Sequence, residues 1–150
     1  MSDVITYGGA VISVSAGAPA TYDAAGFAAL TYTVIGETIS LGDRGQTFED
    51  VSYNTLGDRA AKHLKGTTDQ PETELEMAVD RDDAGQILMK AAKNSDAEYS
   101  FSVAYSNGEV DYFQALVYSF VVVGGDANAV RMATSSVRIN FQDVVEVAAP

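Results

Sequence analysis

Glu72-Thr73-Glu74-Leu75-Glu76-Met77-Ala78-Val79 alternates residue by residue. Thr73, Leu75, Met77 and Val79 share one face, and Glu72, Glu74, Glu76 and Ala78 share the other. A period of two marks a strand with one face buried. Three carboxylates, Glu72, Glu74 and Glu76, then stand in a row on the opposite face. The next stretch changes period. Over residues 80–94, Ala84, Ile87, Leu88 and Ala91 recur at helical spacing, which predicts a helix packing that stripe on a sheet. Asp80 is the expected N-cap, with Asp83 three residues on in the capping-box position. Lys90 and Lys93 sit at the negative end of the helix dipole.

Working outward, the flanks read as strand. Residues 99–105 alternate large apolar groups with Ser100, Ser102 and Ala104, and Asn107-Gly108 is a strong hairpin signal. Residues 111–123 read as one long strand, apolar on both faces and so expected in the core or in a subunit interface. Residues 129–142 form the last long strand, and 144–150 have no evident partner. Upstream, 11–15, 37–41 and 47–55 read as strands, and 21–30 holds one short helical turn capped by Thr21 or Asp23. Residues 56–71 contain Gly57, Gly66 and Pro71 and are expected to form a long loop, partly helical at 58–64. That loop holds Arg59, Lys62, His63 and Lys65, and a loop of such length is commonly functional. The expected fold is mainly β: a sandwich or partial barrel of about eight strands with one flanking α-helix. It forms a single domain over 1–150, with flexible arms expected at 1–9 and 143–150.

Composition narrows the chemistry. With 21 acidic and 9 basic residues the formal net charge is −12, which argues against a reader of duplex DNA. There is no cysteine, so no disulfide, thiolate metal site or thiol nucleophile. The single histidine, His63, rules out multi-histidine metal sites, and it stands among lysines with no acid or nucleophile placed beside it by motif. Glu72, Glu74 and Glu76 lie about 7 Å apart along one surface, unlike glycosidase carboxylates facing across a cleft. The aspartates at 80–83 lack calcium-loop spacing. No glycine pair opens a strand-to-helix phosphate loop. No enzyme, cofactor or metal is expected. No apolar run of about 18 residues exists, so no membrane partner is expected, and Met1-Ser2-Asp3 does not read as a secretory signal.

Several short motifs occur in order along most of the chain. Ala20-Thr21-Tyr22-Asp23-Ala24-Ala25-Gly26-Phe27-Ala28-Ala29-Leu30 is followed by Gly36-Glu37, and Leu56-Gly57-Asp58-Arg59 by Lys65-Gly66. Asp80-Arg81 leads to Asp83-Ala84-Gly85-Gln86, and Tyr99-Ser100-Phe101 comes after the helix. Together, over residues 18–142, they resemble the major tail tube proteins of long-tailed, non-contractile bacteriophages. The loop residues Ala60-Ala61-Lys62-His63-Leu64-Lys65 are less basic than that family's pattern.

The resemblance implies a β-sandwich flanked by a helix. It implies subunits assembled as hexameric rings stacked into a tube through which DNA passes without specific binding. Implied partners are further copies of the chain and the tail tape-measure, terminator and tip proteins. The implied location is the virion, after assembly in the host cytoplasm. Within that picture Glu72, Glu74 and Glu76 are expected to line the lumen, and the loop bearing Arg59, Lys62, His63 and Lys65 to contact a neighbouring subunit, most naturally in the next ring. The alternatives are an inner-tube protein of a contractile tail or type VI secretion system, or a monomeric β-sandwich binding module.

Overall fold

A computed structural model describes residues 4–140 and 142–150. In chain order the elements are β1 (Val11–Ser15), α1 (Ala24–Ala28), β2 (Thr33–Val34), β3 (Thr38–Leu41), β4 (Thr47–Tyr53), β5 (Lys62–Asp69) and β6 (Thr73–Ala78). They continue with α2 (Ala84–Lys93), β7 (Tyr99–Ala104), β8 (Val110–Val117), β9 (Val121–Val123), β10 (Met132–Ile139) and β11 (Val145–Val147). Nine strands make one antiparallel sheet whose main path runs β2-β1-β7-β8-β10-β6-β3. β9 pairs with β10, and β11 pairs with β8. β4 and β5 form a separate two-stranded sheet.

The sheet cannot be flat. Its edge strands β2 and β3 are consecutive in the chain, joined by Ile35, Gly36 and Glu37. Four residue steps span at most about 14 Å, whereas seven flat strands would hold their edges about 29 Å apart. The sheet therefore rolls into a barrel, and the corner fastens its two edges. The Ile35 N–H donates to the Ile12 carbonyl at 2.8 Å on one side, and the Ala78 N–H donates to the Glu37 carbonyl at 2.9 Å on the other. Glu37 takes a left-handed φ of 57° to make the bend.

Every long strand of the barrel turns alternate residues inward. Val14, Phe101, Val103, Phe113, Ala115, Val137, Ala133, Leu75 and Met77 are fully buried. Phe101 and Phe113 stack with centroids 5.2 Å apart. Each of these side chains except the two alanines contributes roughly 1.5–3 kcal/mol by leaving water. The alternation read from 72–79 is present: β6 buries Thr73, Leu75 and Met77 and turns Glu74 and Glu76 outward.

α2 closes the barrel core, but on a different face from the one expected. Gly85, Gln86, Met89 and Ala92 are buried; Ala84, Ile87 and Ala91 are exposed, Ile87 by 52%, and Leu88 packs only partly against the core. The physical reason lies in two residues that a hydrophobic count passes over. A methyl group at Gly85 would collide with the Val34 carbonyl oxygen, so glycine lets the helix lie directly on β2. Gln86 donates to the Gly36 carbonyl at 3.1 Å and the Ala78 carbonyl at 2.8 Å and accepts from the Asp80 N–H at 3.1 Å. The N-cap is Asp83, not Asp80: its carboxylate accepts from the Gln86 N–H and also from the Gly36 N–H, both at 3.0 Å. Gly36, Asp83, Gly85 and Gln86 thus form one hub that pins the helix to the barrel corner.

Three further expectations are corrected. The segment 56–71 is not a loop with a helical part: Lys62–Asp69 is a strand paired with β4. The run 111–123 is broken at Ser119, whose Oγ accepts from the Ser136 N–H, and it divides into the alternately buried β8 and the wholly exposed β9. The C-terminal stretch 143–150 is not a free arm, because Val145, Glu146 and Val147 pair with Tyr112, Asp111 and Val110. At the other end, residues 4–9 are exposed and hold no strand, and residues 1–3 of the expected N-terminal arm lie outside the described residues.

Candidate assembly surfaces

The outer face of the barrel is divided in two. Over β1, β7 and β8 it is covered by α1 and the segments around it. Asp23 caps α1, accepting from the Gly26 N–H at 2.7 Å; that bond and the one from the Thr21 hydroxyl hold its carboxyl below the usual range. Phe27 stacks on Tyr112 with centroids 5.4 Å apart, and Tyr22 meets Phe27 edge-on. The Tyr32 hydroxyl donates to the Phe27 carbonyl, and burial followed by the neighbouring Tyr112 pushes its pKa up. The Ser100 hydroxyl donates to the Gly17 carbonyl across the same layer.

Over β10, β6 and β3 the outer face meets solvent. Here Glu74 stands opposite Ser136, and Glu76 opposite both Thr134 and Ser40. Glu72 lies just before β6, where it accepts from the Ser136 hydroxyl and pairs with Arg138 at 3.4 Å. Glu76 accepts from the Ser40 hydroxyl at 3.4 Å. The three glutamates read from sequence are therefore together on one face. Among the described residues only Glu72 of the three has a cationic partner. A surface of hydroxyls and largely uncompensated carboxylates repels polyanions and offers them no donor cluster.

The second surface is the β4–β5 ribbon. Every residue of β4 and all of β5 except Gly66 is exposed. Val51 opposes Leu64 and Tyr53 opposes Lys62 on one side; Asp50 opposes Lys65 and Ser52 opposes His63 on the other. The ribbon is thus amphipathic with no body beneath its apolar side. It places Lys62, His63 and Lys65 on β5 and Arg59 in the connection at its tip. Lys62 pairs with Asp58 at 2.9 Å, His63 Nδ1 meets Asp50 at 2.9 Å, and Lys65 Nζ lies 5.0 Å from the Phe48 ring centroid. Exposed ion pairs of this kind add little stability. An exposed apolar stripe of Val51, Tyr53 and Leu64 points instead to a partner surface.

The foot of this arm is built from residues that the sequence reading passed over. The Arg44 side chain is 8% exposed; it donates to the Tyr105 hydroxyl at 2.8 Å, to Asp111 at 3.2 Å and to the Gly42 carbonyl at 3.2 Å. Burial pulls the guanidinium pKa down, but the hydrogen bond with Tyr7 and the Tyr105 and Asp111 groups outweigh it, so it is raised overall. Tyr105, desolvated and donating to Asp111 at 2.6 Å, is also raised. Gln70 accepts from the Gly45 N–H and donates to the Gln142 carbonyl, tying the arm to the C-terminal segment. A local signal for these contacts is lacking, because Arg44 meets Asp111 across 67 residues.

A third patch is β9, where Val121, Val122 and Val123 are exposed along with Tyr118 and Val130. Among the described residues no group of three His, Asp or Glu side chains could hold a metal ion, and no helix is long and apolar enough to cross a membrane.

The chain is a rolled antiparallel sheet with a helix seated at its corner and a long ribbon projecting from its rim, and its overall fold is similar to those of solved tail-tube and contractile-injection-system chains. A chain of the PVC extracellular contractile injection system, in a structure of its sheath/tube terminator in the extended state, matches with a TM-score of 0.71 and 11% identity, over 98% of this chain and 99% of that one. A chain of the anti-feeding prophage baseplate matches with a TM-score of 0.66 and 12% identity, over 99% and 97%. The SPP1 tail tube matches with a TM-score of 0.64 and 12% identity, over 91% and 75%. No family model and no curated protein matches the sequence.

Proposed function

We propose that this chain is a structural subunit of a phage tail tube. It self-assembles into hexameric rings that stack into the conduit for DNA in a long-tailed, non-contractile virion. The observation that carries the reading is the arm. A ribbon with an apolar side and nothing beneath it is marginal in water and gains stability when a neighbour covers that side. The likeness of fold to the SPP1 tail tube over most of the chain supports it, as does the six-fold symmetrised anti-feeding prophage baseplate. The subunit carries out no catalysis. Its other partners are tape-measure, terminator and tip proteins, met during assembly in the host cytoplasm. A second reading, a tube or tube-terminator subunit of a contractile system, is favoured by the likeness to the PVC chain.

In the tube, Glu72, Glu74 and Glu76 line the lumen. A duplex moving through a channel has to be kept off its wall. Repeated carboxylates repel phosphate, whereas lysines would gain affinity by releasing counterions and hold the DNA. The arm, with Arg59, Lys62, His63 and Lys65, reaches the next ring.

Electron microscopy of the purified protein tests the assembly. Rings or tubes are expected, and a uniform monomer at high concentration would return the chain to the class of β-sandwich binding modules. Replacing Glu72, Glu74 and Glu76 together with lysine tests the lumen. The barrel should fold unchanged, and the tubes should retain DNA in a salt-sensitive manner. Normal DNA passage through well-formed triple-lysine tubes would overturn the lumen assignment.

A further inference from the structure

A cavity of about 580 Å³ opens at the foot of the arm, beside Tyr105 and Asp111. Ile5, Tyr7 and Val147 give it apolar walls, and Glu109, Asp111 and Glu146 give it carboxylates. Among the described residues the charge there is not balanced from within. Arg44 is spent on Asp111. Glu109 is held only by the neutral Asn107 amide and accepts no cation. Glu146 is exposed on β11, and among the described residues its side chain makes no hydrogen bond or ion pair. The site is a partly apolar hole with two uncompensated carboxylates at its rim, which suits a segment carrying an aliphatic group and a cation.

The tip of the arm carries that pair of groups. Leu56 is fully in water, with a relative exposure of 110%. Three residues on, Arg59 makes no ion pair, while Lys62, His63 and Lys65 each have a partner within the arm. With strands of seven and eight residues the ribbon holds its tip roughly 23–26 Å from its foot. A paired ribbon of that length does not fold back onto its own base, so tip and cavity meet only between copies.

We propose that the cavity bounded by Glu109, Asp111 and Glu146 is the receptor for the arm tip of a second copy, which seats Leu56 on Ile5 and Val147 and sets Arg59 against Glu146 and Glu109. The contact is head-to-tail: the tip of one copy meets the foot of the next. Unlike a two-fold contact, it leaves the joined pair with one free tip and one free receptor and so propagates. Arginine suits the role because its planar fork bridges two carboxylates. This proposal rests on the tube reading and specifies which surfaces join successive subunits.

Charge exchange tests it. Self-association is measured by sedimentation across protein concentration, with tube formation read in parallel by electron microscopy. Arg59→Glu and Glu146→Lys should each weaken association at least about tenfold, since each places like charges together at a desolvated contact. Both positions are exposed, so melting temperatures should not move. The Arg59→Glu/Glu146→Lys double variant should recover most of the lost association. Single variants that associate like the wild type, or a double variant no stronger than the weaker single, would overturn the docking assignment while leaving intact any tubes seen. Swap-dependent head-to-tail association without rings would support the docking and overturn the tube reading. A wild-type chain that stays monomeric throughout would overturn both.

Discussion

The barrel and the arm are built on opposite terms. In the barrel each long strand spends about half its residues on a shared interior, and that interior holds Phe101, Phe113, Leu75 and Met77 out of water. In the arm, β4 and β5 pair from Thr47 opposite Asp69 to Tyr53 opposite Lys62, with one register shift between Phe48 and Asp50, and bury almost nothing. The barrel therefore owes its stability to its own residues. The arm owes its shape to backbone pairing and any further stability to whatever covers Val51, Tyr53 and Leu64. Two-stranded ribbons in water are marginal by themselves. The difference shows where a chain ends its obligations to its own fold and starts to answer to a neighbour.

Substitutions in the two regions should separate these terms. The largest effect is expected in the barrel: Phe113→Ala removes a fully buried, stacked ring and should cost about 3–5 kcal/mol in monomer unfolding. Its counterpart Val51→Ala in the arm should leave the monomer within about 0.5 kcal/mol, yet reduce assembly. Denaturant melts of both variants check the comparison, and equal losses would erase it. A smaller loss, about 1–3 kcal/mol, is expected for Gln86→Leu, which strips three hydrogen bonds from the hub and strands the half-buried Gly36 and Ala78 carbonyls. The same melts measure it, with the arm's hydrogen exchange unaffected.

The smallest effect is a pH response confined to α1. Asp23 has its carboxyl pKa lowered in the folded chain by the Gly26 N–H. Its contribution is therefore present above the unfolded pKa and fades as pH falls through the lower folded value. Amide exchange across 24–28 should quicken at that acidic end before the barrel signals change. Simultaneous loss would show that α1 and the barrel form one cooperative unit.

Legibility in the sequence followed the same division. Hydrophobic alternation reports a buried face, so β6 and β7 were readable from residues 72–79 and 99–105. β5 was not, because Lys62–Asp69 buries neither face and leaves no periodic trace. β11 is three residues long, and its partner lies more than thirty residues away. The glutamate row and the cationic stretch could be named residue by residue, while the receptor cavity could not, since it is assembled from residues 4–7, 105–111 and 146–148. The misread helix face has a different cause. Gly85 and Gln86 look like a breaker and a solvent residue until the Val34 and Gly36 carbonyls are seen beside them.

The hub also accounts for two of the motifs that drew attention in the sequence. Gly36 sits where a methyl group would stand 2.6 Å from an Asp83 carboxylate oxygen, and Asp83 is held there by capping α2. The motif residues are thus one contact written in two places, 47 residues apart.

The arm's independence from the barrel bears on how such a chain diverges over generations. Replacing an arm side chain does little to folding, so drift there is checked only by the surface that receives it. That surface is encoded in the same gene, on the far side of the same molecule. A change at the tip and its answer at the foot are therefore inherited together, and every copy of the chain acquires both at once. Lineages should come to differ in matched pairs of arm and receptor residues, and mixed populations should sort into assemblies of their own kind. A ribbon that holds up nothing in its own fold would then serve as the molecule's mark of kinship.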